Sequence, residues 1–321
     1  MKTMKRPQLI LAFILAFVSS AFMSTGMIVN SLLEGHGSNW AWTASLRFLL
    51  LLPMLVAVVA GRKRLQPLLS AWRCLPGSFL LWGNLGFGAF YALLVFATRF
   101  LPAWLVAATF TTTILGGLLM APLIYKDHRA IIPRRALVFA LVLVGCLVLM
   151  EFDQLRQLHF SMLAFAGLML ALLAAALWPL SNRMLLVRLE AKKIQLDALQ
   201  RSLGMTIGSL PVLAALAIFA YLRSGPPGQL QLVSSGSAAF FSGLIGCALL
   251  FKAMQLTQRH AMAMAAVEAM QVLVIFFTLI GENLVRHLQA PGPLALTGMV
   301  GIVLTLAIYI QQTFKATPKL L

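Results

Sequence analysis

Between Gln8 and Thr313 the chain is a succession of apolar stretches, each about as long as a bilayer is thick, separated by short basic segments. About 20 apolar residues in a helix cross the hydrocarbon core, and only helices or closed barrels satisfy their backbone there. Ten spans are read, at residues 8 to 32, 39 to 60, 76 to 97, 102 to 125, 135 to 151, 160 to 181, 200 to 222, 237 to 257, 260 to 281 and 293 to 313. With 61% hydrophobic and 10% charged residues, the chain has no hydrophilic segment able to house a soluble domain. The expected fold class is all-α and integral to the membrane. The N-terminus starts like a secretory signal, but its apolar run continues past Ser20 to Leu33 and is read as the first span.

Net charge is +17, which in a soluble chain suggests nucleic acid. Here the placement of the charge gives another reason for it. With an even number of spans both termini lie on one side. Nineteen of the 25 Lys and Arg then fall on that side and four (Arg99, Arg156, Arg223, Arg286) on the other. That bias places both termini on the cytoplasmic side, and no nucleic-acid partner is needed. Cys74, Cys146 and Cys247 form no CxxC pair, and the five His are never clustered with carboxylates at metal-ligand spacing. No Walker-type phosphate loop is present. An enzyme, a metal site, a cofactor and a self-contained ATP-driven pump are not expected.

The two halves align weakly at an offset near 158 residues: Gly88 falls on Gly246, Ala107 on Ala265 and Ala108 on Ala266, while Arg47 falls on Arg201 at 154. Five spans per half is odd, so the second half is expected upside down. Residues 1–155 and 156–321 are read as two inverted five-helix repeats, with substrate bound between them near the midplane. One chain is enough to enclose such a cavity, and a dimer is compatible with it.

Polar residues inside the spans mark that cavity, because a charge in hydrocarbon costs about 2.5 to 3.5 kcal/mol even on insertion scales. Candidates are Trp42 and Arg47 in the second span, Trp178 and Asn182 flanking Pro179 in the sixth, and Lys252, Glu268 and Gln271 across the eighth and ninth. Lys252 and Glu268 each lie eight residues from a turn centred near residue 260, and so at the same height. The expectation is a Lys252–Glu268 contact, either a structural pair fixing the hairpin or a proton-coupling carboxylate with its cation. Arg47 is balanced between a structural partner and a contact for an anionic substrate. Of Thr111, Thr112 and Thr113, which cannot share one face, at least one must bond back to its own helix. The glycines of GNLGFG, residues 83 to 88, are read as packing, not as a dinucleotide loop.

Five segments carry a resemblance: NWAWTASLRFLLLLP (Asn39 to Pro53), GFGAFYALLVFATRFLPAWLVAATF (Gly86 to Phe110), LWPLSNR (Leu177 to Arg183), LDALQRSLGM (Leu196 to Met205) and FKAMQLTQRHAMAMAAVEAMQ (Phe251 to Gln271). In this order they are similar to the multidrug resistance efflux transporter family of the drug/metabolite transporter superfamily. The resemblance implies a ten-helix inner-membrane carrier that exports small molecules from a central cavity. The chain departs from the family's pattern at Phe110–Thr111, where an aromatic and a glutamine are usual, and at Trp178–Pro179, where a YP-type motif is usual. Related four-helix small multidrug resistance proteins bind drug and proton on a first-helix glutamate. The first span here has no mid-span carboxylate, which leaves Glu268 for that role. The expected function is therefore a proton-coupled exporter of small amphipathic metabolites or drugs. The alternatives are an uncoupled facilitator or importer of a polar or anionic metabolite and, from another class, a non-transporting membrane receptor or assembly subunit.

Overall fold

The computed structural model describes residues 6–33, 39–101, 103–152, 156, 161–286 and 292–316. Helices account for the architecture, and no strand occurs among the described residues. In chain order they are α1 (Arg6–Leu33), α2 (Trp40–Gly61), α3 (Leu65–Cys74) and α4 (Pro76–Ala97). Three short pieces come next, α5 (Ala103–Phe110), α6 (Thr113–Leu119) and α7 (Ala121–Ile124). Then come α8 (Arg134–Met150), α9 (Met162–Ala191), α10 (Ala198–Ser224), α11 (Gln229–Thr257), α12 (Ala261–Gly281) and α13 (Pro293–Ala316). Nine helices among the described residues are long and apolar enough to cross a membrane. The stretch read as a fourth span, 102 to 125, is broken, with Leu105–Leu119 as its apolar part.

Capping explains the helix ends. Asn39 accepts from Ala41 N at the start of α2, Ser161 accepts from Ala164 N before α9, and Asp197 and Gln200 form a reciprocal capping box at α10. Gly225, with φ of +71°, ends α10 in a conformation that side chains disfavour.

Helix α1 packs against α11 and α12, and α9 against α4, α5 and α6. Helices α2 and α10 pack on each other, as do α8 and α13. At the tightest crossing a Cβ on Gly208 would lie 2.0 Å from the Phe79 carbonyl oxygen and one on Gly83 2.6 Å from that of Met205. These glycines let α4 and α10 touch backbone to backbone. Large apolar side chains such as Leu123, Met162 and Leu222 are exposed around the outside, as a lipid-facing surface requires.

One end of the bundle is basic. Arg64 pairs with Asp197, Arg129 with Asp127 and Glu190, and Arg6 lies over the Phe314 ring, which gathers the ends of α1, α2, α9 and α13. At the opposite end Asn39 donates to Ser224 Oγ, and Gln231 donates to the Asn39 carbonyl.

Four departures from α geometry cluster in the interior. Asn84–Ala89 in α4 and Ala238–Gly246 in α11 are π-helical, α5 and α6 are separated at Thr111–Thr112, and Met270–Val272 in α12 is a 3₁₀ turn. Such segments in long helices often mark functional positions. In lipid they are tolerated where they are buried in protein or line a cavity.

Candidate functional site

The four irregular segments surround one central cavity. Phe87 comes from the first π segment, Ser242 and Gly243 from the second, Thr111 from the break and Gln271 from the 3₁₀ turn. The rest of the wall is mostly apolar, and the cavity volume is about 60 Å³. Thr111 and Thr112 donate to the carbonyls of Ala108 and Thr109, the back-bonding expected of that threonine run. Ser20 of α1 donates to the Met270 carbonyl where α12 loosens.

Arg47 is the cavity's charge. It is 8% exposed, donates from Nη2 to Ser242 Oγ at 2.6 Å and lies 4.5 Å from the Tyr91 ring centroid. Its Nε is buried without a hydrogen-bond partner, and no carboxylate among the described residues pairs with it. Beneath it is an aromatic floor. Phe48 is 5.1 Å from Phe87, Phe87 is 5.8 Å from Trp178, and Trp178 is 5.9 Å from Phe251.

Glu268 is elsewhere, one turn nearer the basic end. Arg183 Nη2 donates to both its carboxylate oxygens at 2.6 Å, and Arg183 Nη1 donates to the Gly117 carbonyl. Both charged residues are buried. A Cβ on Gly117 would stand 2.8 Å from Arg183 Nη2 and 2.9 Å from Glu268 Oε2, so glycine is what lets α6 close on the pair. On the basic side of this contact lies a second, smaller cavity lined by Arg183, Tyr125, Gln258 and Met264. Along α9 and α12 the ion pair falls between residues that line the central cavity and residues that line the smaller one.

The structure brings three of the seven sequence-predicted residues, Arg47, Trp178 and Gln271, to the central cavity. Trp42 is buried near the far end, where its indole donates to the Gly225 carbonyl. Asn182 donates to the Trp178 carbonyl on its own helix. The expected Lys252–Glu268 contact is corrected: Lys252 is exposed between the buried Phe251 and Ala253, and Arg183 takes its place. Equal distance from the turn fixes height but not azimuth, and the π segment in α11 further rotates the residues after it.

Sequence reasoning misses Arg183 because it ends the sixth span at residue 181. Helix α9 runs ten residues further, and the stretch 183 to 200 is largely its continuation and the cap of α10. Arg201, counted with the basic residues of the cytoplasmic side, is buried with its guanidinium 5.2 Å from the Phe251 centroid. One signal points to Arg183: a buried glutamate in want of a cation.

Outside the spans, hydrogen bonds from Arg129 hold the Asp127 carboxyl below its ordinary pKa. Burial, with His128 nearby, lowers that of His260. Among the described residues no group of His, Cys, Asp and Glu is placed to hold a metal.

Known proteins resemble the chain in both sequence and fold. A protein of Bacillus subtilis (strain 168) named "Uncharacterized protein YjlA" is 32% identical over 317 residues, covering 96% of each chain. An "Uncharacterized 42.1 kDa protein in intracellular alkaline protease 3'region" of Shouchella clausii is 31% identical over 254 residues, 77% of this chain and 66% of that one. A solved crystal structure superposes with a TM-score of 0.69 over 96% of this chain and 99% of the other at 14% identity, a likeness of fold alone. The family model described as "EmrE: Putative multidrug resistance efflux transporter" matches residues 10–315, and to that family, within the drug/metabolite transporters, this multi-pass membrane chain belongs.

Proposed function

We propose that the chain is a secondary active transporter that exports small amphipathic molecules across the bacterial inner membrane by exchange with protons, with Glu268 as the coupling carboxylate. The carrying observation is the buried Arg183–Glu268 pair, held between the central cavity and the smaller one near the basic end. A proton on Glu268 removes the charge that holds Arg183. The contact among α6, α9 and α12 is then free to part, opening the cavity toward the basic side. By the positive-inside rule that side is the cytoplasm, with both termini in it.

The mechanism needs two inverted repeats of five spans, residues 1–155 and 156–321, with the broken α5–α6 as the fourth span. Several features support this reading. Exchanging α1 with α9, α2 with α10, α4 with α11, α5–α6 with α12 and α8 with α13 carries the packing neighbours onto one another. The two π segments exchange as well, and so do the break at Thr111–Thr112 and the 3₁₀ turn at Met270–Val272. Discontinuous helices in matching places of two halves are the usual mark of a transporter's binding site. The reading includes no catalytic step, and a single chain is enough for it.

An uncoupled facilitator is the second reading. It is favoured by the doubly hydrogen-bonded contact at Glu268, which would suit a purely structural pair. Efflux from proteoliposomes with and without an imposed pH gradient separates the two. Proton exchange predicts that the gradient accelerates wild-type efflux and that Glu268→Gln, purified as a monodisperse protein, loses the acceleration. Equal, pH-indifferent rates in both proteins would leave the facilitator reading standing.

A further inference from the structure

A buried cation without a counter-ion is expensive in a membrane interior unless something in the working cycle supplies the charge. Two such cations are present among the described residues, Arg47 and Arg201, and neither forms an ion pair there. Each lies against an aromatic ring instead, Arg47 at 4.5 Å from Tyr91 and Arg201 at 5.2 Å from Phe251. An unbroken series of rings joins the two. Tyr91 is 5.5 Å from Phe48, and the series continues through Phe87 and Trp178 to Phe251. Arg47 opens on the cavity with an idle, buried Nε, while Ser242 fixes its outer edge.

We propose that the cavity takes an organic monoanion with a flat apolar body, its anionic group held by Arg47, and that the rings pass it to Arg201 in the opposite access state. The first half stands on this cavity alone; the second rests on the transporter reading. A guanidinium binds a carboxylate by parallel hydrogen bonds that are roughly twice as strong as neutral ones. Phe48, Phe87 and Trp178, which line the cavity, supply stacking surfaces for the body, Phe251 beyond them becomes one only in the opposite access state, and Arg47 is the specificity-determining residue.

The test uses full-length protein in lipid nanodiscs and isothermal titration with 2-naphthoate, 2-naphthamide and 2-naphthylmethylammonium, after subtracting binding to empty nanodiscs. The expected result is naphthoate at least ~10-fold tighter than the amide, which corresponds to one charge-assisted contact, and the ammonium weakest. Arg47→Gln should level the three ligands, and Arg47→Lys should restore part of the preference, since lysine is a point charge without the planar fork. Ammonium binding as tight as naphthoate, or a preference that survives Arg47→Gln, overturns the proposal. Should Arg47→Gln fail to fold, the ranking on wild type decides. For the second half, Arg201→Gln should slow naphthoate flux in proteoliposomes at least ~10-fold while binding changes less than about twofold. Flux at the wild-type rate overturns the transfer. Binding with no flux of any of the three ligands would sink the transporter reading and leave the anion site standing.

Discussion

Two buried arginines, each about 10 Å in from one end of its helix, have opposite surroundings. Arg183 has its charge met by a carboxylate and also donates to a carbonyl; its Nε, like that of Arg47, is buried without a partner, but a glycine opposite leaves no room for a ligand. Arg47 has one serine, two rings and a side that faces a cavity. A charge that is fully paired in the protein holds helices together. A charge left incomplete is a place for a ligand. On the proposed account, the same residue type serves as a latch at one level of the bundle and as a receptor at another.

The largest difference should appear in stability. Arg183→Leu strands Glu268 and is expected to cost about 3–5 kcal/mol, the usual loss when one partner of a buried pair is removed. Arg47→Leu strands no charge and should leave thermal stability unchanged or raise it. Equal losses in thermal unfolding of the two variants would break the comparison.

A wedge test is more local. Gly117→Ala pushes a methyl into the ion pair and should cost about 1–3 kcal/mol by overpacking. Gly116→Ala meets nothing nearer than 3.5 Å and should be neutral or slightly stabilising. Unfolding midpoints of these neighbours measured side by side check this, and a harmless Gly117→Ala would mean the latch is loose.

Ser242→Ala touches only the cavity side. Losing a hydrogen bond to a charged group is worth about 1.5–3 kcal/mol, but solvent or ligand can take its place here. The expected outcome is little change in stability and a several-fold weaker binding of naphthoate in the same titration.

The smallest effect lies outside the membrane. The folded-state pKa of Asp127 is depressed by Arg129, so its contribution is present above the ordinary carboxylate pKa of about 4 and fades as pH falls through the folded value. Asp127→Asn should therefore lower the thermal midpoint slightly at pH 7, within the ~0–1 kcal/mol of an exposed pair, and by less as pH falls below the ordinary carboxylate range. A midpoint difference that does not shrink on acidification would assign the effect to packing instead.

The sequence makes one side of this comparison more legible than the other. Spans, basic bias and the odd charges Arg47 and Glu268 come from hydropathy and desolvation alone, and Arg47, Trp178 and Gln271 indeed meet at the cavity. The latch is legible by half. Glu268 stands out in the sequence, yet Arg183 is hidden because hydropathy fades before α9 ends, so a buried cation is counted as a surface one. Lys252 is misplaced because a π segment shifts the azimuth of every later residue in its helix without leaving a trace in a 3.6-residue pattern. Phe87 and Tyr91 sit in a segment singled out for its resemblance, but nothing in their spacing separates a stacking floor from ordinary core.

The division of labour between the two arginines is tested most directly by the initial rate of naphthoate efflux from proteoliposomes, with and without a pH gradient, in wild type, Glu268→Gln and Arg47→Gln. The account predicts that Arg47→Gln is slow but keeps the wild-type ratio of driven to undriven rate, and that Glu268→Gln alone brings this ratio to one. A Glu268→Gln protein that still responds fully to the gradient would contradict it.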